Sequence, residues 1–206
     1  MNATHELVWA AIGVGAGATL APTAAWLAEV RHRRLYRLLI SATTGIAFAA
    51  LAGKYPLTPE QLALSVFAAV GVLLATIDIV ARQLPRTLVW PTCAAVATLL
   101  LIEGLSNGPS AHHLLRAATG AIALVTGYLI MAVASRGGLG AGDVRTALLV
   151  GAVLAWQGWP VLFAGTALGF LATGVIAAAW TSRRWEQTAI PHGPGMLVGA
   201  FAVLLM

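Results

Sequence analysis

The chain has 206 residues, of which 59% are apolar and only 9% charged, whereas a water-soluble domain carries about 25% charged residues. So little polar surface excludes a cytosolic globular protein, a disordered chain and a secreted disulfide scaffold. The 12 lysines and arginines outnumber seven acids, for a net charge of +5, but they stand in short clusters between apolar runs. That is the pattern of a multi-spanning membrane protein surrounded by lipid, not of a nucleic-acid-binding patch.

A membrane helix needs about 20 mainly apolar residues. The first run, 7–30, has no lysine or arginine before it, exceeds the length of a cleavable signal's apolar core, and is followed by Arg31-His32-Arg33-Arg34. It reads as a retained helix with its N-terminus outside. Runs 35–52 and 61–81 follow, separated by Gly53-Lys54-Tyr55-Pro56, and then comes 88–102. The segment Ser106-Asn107-Gly108-Pro109-Ser110 breaks the chain before 113–134. Run 144–156 is divided from 159–180 by Gly158-Trp159-Pro160, and Pro191-His192-Gly193-Pro194-Gly195 leads into 195–206. Glycine and proline end helices through backbone freedom and a lost donor. The sixth and eighth runs are short and read as half-membrane or tilted elements. The expectation is an all-α polytopic bundle of about eight helices forming one domain, 1–206.

With the N-terminus outside, Arg31, Arg33, Arg34, Arg37, Arg82, Arg86, Arg136, Arg145, Arg183 and Arg184 fall in the cytoplasm, leaving only Lys54 and Arg116 outside. The positive-inside rule favours that orientation. Trp9, Trp26, Trp90, Trp156, Trp159 and Trp180 lie near span ends, as interfacial anchors or as fillers between helices. The 22 glycines and many alanines suit close helix–helix packing in lipid. Cys93, the single cysteine, excludes an internal disulfide and a CxxC-type zinc site, and reads as a packing residue.

The acids carry the chemistry. Glu6, Glu29, Glu60, Glu103 and Glu186 fall at span ends or in loops, while the two aspartates, Asp78 and Asp143, share the cytoplasmic face. An ionisable group near hydrocarbon is costly and marks function by default. Singly, each has a plainer reading. Asp78 can pair with Arg82 one turn on, and Asp143 can be an N-cap for a helix starting at Val144. Together they fit a carboxylate pair that shares a proton, one acting as base on water and the other protonating the developing oxygen. Gly140 and Gly142, lacking Cβ atoms, would permit unusual backbone angles and close approach of an extended peptide. His112-His113 reads as a solvated helix start, and His192 shares the aspartates' face. No HExxH, P-loop or GxSxG motif is present.

Gly140-Ala141-Gly142-Asp143, within Gly137-Gly138-Leu139-Gly140-Ala141-Gly142-Asp143-Val144-Arg145, resembles the GxGD segment of the type IV prepilin peptidases. Asp78-Ile79-Val80-Ala81-Arg82-Gln83-Leu84-Pro85, continuing to Thr87-Leu88-Val89-Trp90-Pro91, resembles that family's first aspartate block. Ile190-Pro191-His192-Gly193-Pro194-Gly195-Met196-Leu197 resembles its lead-in to the last helix. The similarity spans about residues 60–206. Departures are Arg86 where the family often has an acid, Arg145 where it often has lysine, and His192 where larger members tend to have an aromatic residue. Larger members also carry a cytoplasmic insertion with paired CxxC motifs and methylate the new N-terminus; here 31–37 is a short basic loop.

The resemblance implies a membrane aspartic endopeptidase, without N-methylation, that removes the basic leader of prepilins or pilin-like proteins. Asp78 and Asp143 would be catalytic, and no cofactor or metal is expected. Gly140, Gly142, Pro85, Arg82 and Arg145 would contact substrate, and Arg82, Arg86, Arg136 and Arg145 suit paired hydrogen bonds with a substrate carboxylate. The competing expectation is a small proton-coupled transporter using Asp78 and Asp143 as a relay.

Overall fold

The computed structural model describes residues 3–27, 33–106, 111–135, 139–181 and 191–206. Among them are eight helices: α1 (Ala3–Leu27), α2 (Arg33–Lys54), α3 (Pro59–Ala81), α4 (Arg86–Ser106), α5 (Ala111–Ala134), α6 (Ala141–Gln157), α7 (Trp159–Thr181) and α8 (Gly193–Leu205). Each predicted run falls on one of them, although 28–30 of the first lie outside the described residues and Met206 lies just past α8. Six, α1 to α5 and α7, are long and apolar enough to cross a membrane. The expected short pair is also present, α6 with 17 residues and α8 with 13. Glu29, Arg31, His32, Asn107, Gly108, Pro109, Ser110, Arg136, Gly137, Gly138, Arg183, Arg184, Glu186 and Ile190, all used in the sequence reading, lie outside the described residues.

The helices pack as hairpins, α1 on α2, α5 on α6 and α7 on α8, while α4 and α8 each pack against both α3 and α6. Lipid provides no hydrophobic drive for helix association, so close backbone contact and dispersion take its place. The seam between α7 and α8 is tight: a Cβ on Gly199 would stand 2.2 Å from the Gly169 nitrogen. Along the inner face of α3, Phe67 stacks on Phe201 of α8 with centroids 5.2 Å apart, and Trp9 Nε1 donates to Ser65 Oγ at 3.0 Å. Trp9 and Trp156 are buried fillers, whereas Trp26, Trp90 and Trp159 are exposed near helix ends.

Glu103 stands at a span end, as expected, but within the last turn of the helix rather than beyond it. Helix α4 runs on to Ser106, so Glu103 is inside it and buried. Its Oε2 accepts the Glu60 N–H at 3.2 Å, and thereby satisfies one of the orphan donors at the start of α3.

A helix that stops short of the bilayer surface leaves carbonyls in a medium with no water to bond them. Both short helices are answered by side chains. Arg116, from the first turns of α5, donates through Nε to the Ala155 carbonyl at 2.6 Å and through its guanidinium to the Trp156 carbonyl at the end of α6. Tyr55 donates to the Leu204 carbonyl at the end of α8, 3.1 Å away. Burial, assisted by the nearby Glu60 charge, pushes the Tyr55 hydroxyl up to about 12, so it remains a donor. Arg116→Met, which keeps the apolar stem and removes the donors, is expected to destabilise the protein by about 1.5–3 kcal/mol, the scale of a charged hydrogen bond. Unfolding in detergent measures this, and Arg116→Lys recovers part of the loss.

Candidate functional site

Asp78 sits in the last turn of α3. The helix ends after it because Leu84 precedes Pro85, and a residue before proline is pushed out of helical geometry. Arg82 provides the stop: at φ 53 and ψ 41 it is left-handed, and its N–H returns to the Asp78 carbonyl at 2.9 Å. Arg82 is therefore the C-cap of α3. Its charge also acts on Asp78. The Asp78 side chain is buried, and its Oδ2 accepts the Gly193 N–H at 3.0 Å. Gly193 opens α8, so the carboxylate faces a helix N-terminus, where backbone donors and dipole favour an anion.

Asp143 lies at the start of α6. The helix begins earlier than Val144, with Gly140 as N-cap and Asp143 in the third helical position. The expected N-cap role is thus corrected. Asp143 Oδ2 reaches back to accept the Gly140 N–H at 3.1 Å, the carboxylate half of a capping box. Its other oxygen, Oδ1, is buried with no hydrogen-bond partner among the described residues. A buried unpaired oxygen is costly enough to call for a partner in the working state.

Leu84 joins the two halves. A Cβ on Gly142 would stand 2.8 Å from Leu84 Cβ, and one on Gly193 would stand 3.4 Å from Leu84 Cδ1 and 2.8 Å from Asp78 Oδ2. Leu84 is buried and fills the angle between the start of α6 and the start of α8. The expectation of unusual backbone angles at Gly140 and Gly142 is overturned: Gly140 is extended at φ −75, and Gly142 is helical. Gly142 is small because Leu84 occupies the space of its side chain. The result brings the carboxylates close enough for the Asp78 charge to act on Asp143.

Arg82 and Arg86 are exposed and Arg145 half-exposed at this same end, with Pro85 half-buried between the first two. Away from it, His113 meets the edge of Trp156 with centroids 5.4 Å apart, and both His112 and His113 are exposed at the start of α5. Cys93 is half-buried in α4.

Three residues given no site role by the sequence are linked to the aspartates directly or through His192. Gly193 supplies the N–H to Asp78. Tyr128 of α5, whose surroundings include the Asp143 charge, is bonded through its hydroxyl to His192 Nε2 at 2.8 Å. Thr173 of α7 meets His192 Nδ1 at 2.9 Å. The only signals in the sequence were a tyrosine and a threonine within apolar runs, on helices that only folding brings to α8.

The family model described as the type IV leader peptidase family matches residues 65–182, more than half of the chain. The chain belongs to the type IV leader peptidase family. No curated protein and no solved structure gives a match. Within this leader peptidase the matched region holds both aspartates, the 82–91 segment and the start of α6. His192 and Gly193 lie beyond it, and they enter the site through hydrogen bonds to Tyr128, Thr173 and Asp78.

Proposed function

We propose that this leader peptidase is an aspartic endopeptidase in which Asp78 and Asp143 are the catalytic pair. The observation that carries the reading is the meeting of these two buried carboxyls at one end of the bundle. Each has one oxygen held by a backbone N–H, and the other oxygen of Asp143 has no hydrogen-bond partner among the described residues. One carboxylate takes a proton from water as the water oxygen adds to the scissile carbonyl. The other carboxyl protonates the developing oxygen, and collapse of the adduct breaks the C–N bond with the proton delivered to the leaving amine.

The substrate is a prepilin or pilin-like protein with a short basic leader, cut at the cytoplasmic face of the cell membrane. Ten of the chain's 12 cations fall on the aspartates' side when the N-terminus is outside, which supports that orientation. Arg82, Arg86 and Arg145 are suited to hold a substrate carboxylate. Gly140, exposed beside Asp143, leaves room for the peptide backbone. The whole chain acts as one peptidase domain. A proton-coupled carrier would string acids through the bilayer depth, whereas Glu60 and Glu103 stand at the opposite end from the aspartate pair.

The test is direct. Purified protein in detergent, given a prepilin-like substrate, is expected to release the shortened product at a rate that EDTA does not change. An uncut substrate, or cutting that a chelator abolishes, would overturn the reading.

A further inference from the structure

Behind the aspartates lies a hydrogen-bond chain with a definite direction. Thr173 has one hydroxyl hydrogen and gives it to the Gly169 carbonyl, 3.0 Å away on its own helix. Its oxygen therefore accepts from His192, which fixes the imidazole hydrogen on Nδ1. The opposite nitrogen, Nε2, is then an acceptor, and the Tyr128 hydroxyl donates to it. Tyr128 and His192 are buried and Thr173 half-buried, and the Tyr128 ring stacks on Phe170 with centroids 5.9 Å apart. Burial also holds His192 below the ordinary imidazole value, in keeping with a neutral ring.

The consequence falls on Tyr128. Its hydrogen is committed to His192, so towards the aspartates its oxygen offers only lone pairs. Tyr128 lies within reach of the Asp143 charge, yet Asp143 Oδ1 has no direct bond to it. A water molecule with a hydrogen to donate suits that arrangement.

We infer that Tyr128 orients the attacking water, and that His192 and Thr173 are positioning residues which keep its hydroxyl turned away from the site. This rests on the aspartic peptidase reading above. One hydrogen of the water goes to the basic carboxylate as the O–C bond forms. The other remains on the new hydroxyl, held by the Tyr128 oxygen. Were the Thr173 acceptor lost, the imidazole hydrogen could move to Nε2, and Tyr128 would turn its own hydrogen towards the site.

Steady-state kinetics on purified variants with a prepilin-like substrate tests the chain. Tyr128→Phe keeps the ring on Phe170 and removes the oxygen. It is expected to lower kcat about tenfold, the scale of one hydrogen bond, with KM unchanged and thermal stability lowered by the loss of the bond to His192. Thr173→Ala lowers kcat to a similar degree, and Thr173→Ser restores it. Because the residues act through one oxygen, Tyr128→Phe combined with Thr173→Ala is no slower than Tyr128→Phe alone.

Full kcat in Tyr128→Phe overturns the inference, as does a double variant whose losses multiply. A Tyr128→Phe loss confined to KM overturns it too. Asp78→Asn and Asp143→Asn run alongside. If both are inactive while Tyr128→Phe is fully active, only this inference fails; if either cleaves normally, the aspartic peptidase reading fails with it.

Discussion

Asp78→Asn and Asp143→Asn are each expected to lower leader removal by a factor on the order of 10²–10⁴, the contribution of one general acid or base, while the protein folds and inserts normally. The structure gives the reason for both halves of this result. Asparagine retains a side-chain oxygen at the same place, so it still accepts the Gly193 N–H at position 78 or the Gly140 N–H at position 143. It has no pKa with which to take or return a proton in water. Alanine makes the contrast. Asp143→Ala is equally inactive, but it also leaves the Gly140 N–H without its acceptor and lowers stability by about 1 kcal/mol. Processing of a co-expressed prepilin, read beside thermal unfolding of the purified variants, separates the two effects. Normal processing by either asparagine variant would remove the carboxylate pair from the mechanism.

Gly199→Leu is expected to cost about 3 kcal/mol of stability, the upper range for overpacking, and to reduce cleavage as well. A Cβ at this position meets the Gly169 nitrogen at 2.2 Å and the Gly165 carbonyl oxygen at 2.5 Å. Both are backbone atoms that cannot rotate aside, so α8 must move away from α7. That movement carries the start of α8 with it, and the Gly193 N–H leaves Asp78. The Thr173–His192 bond, which crosses the same seam, is strained in the same displacement. Gly174→Leu is the control: a Cβ there meets nothing within 4 Å, and leucine is a better helix former than glycine. Thermal unfolding and cleavage rate of the two variants should therefore diverge sharply. Equal behaviour would show that the α7–α8 seam does not hold the site.

Hydropathy and composition are local properties, and they settled which segments are helices and that these lie in lipid. Each apolar run became a helix because a buried backbone in lipid has no other way to satisfy its own hydrogen bonds. Boundaries were less legible: α4 extends beyond its predicted end because Glu103, polar by type, is made tolerable by the Glu60 N–H from another helix. The two aspartates were also legible, because an acid in an apolar setting is rare and costly. Their surroundings were not. The N–H that holds Asp78 comes from residue 193, and the tyrosine beside Asp143 is oriented through His192 by Thr173. Those partners are joined only when α5, α7 and α8 close on one another. The sequence by itself thus determined the helices, the medium and the reactive groups, since each depends on short-range pattern and residue chemistry. The tertiary structure alone decided what holds each carboxyl, which glycine makes room for Leu84, and which way the tyrosine hydroxyl points, because these depend on distances between helices that no local pattern encodes.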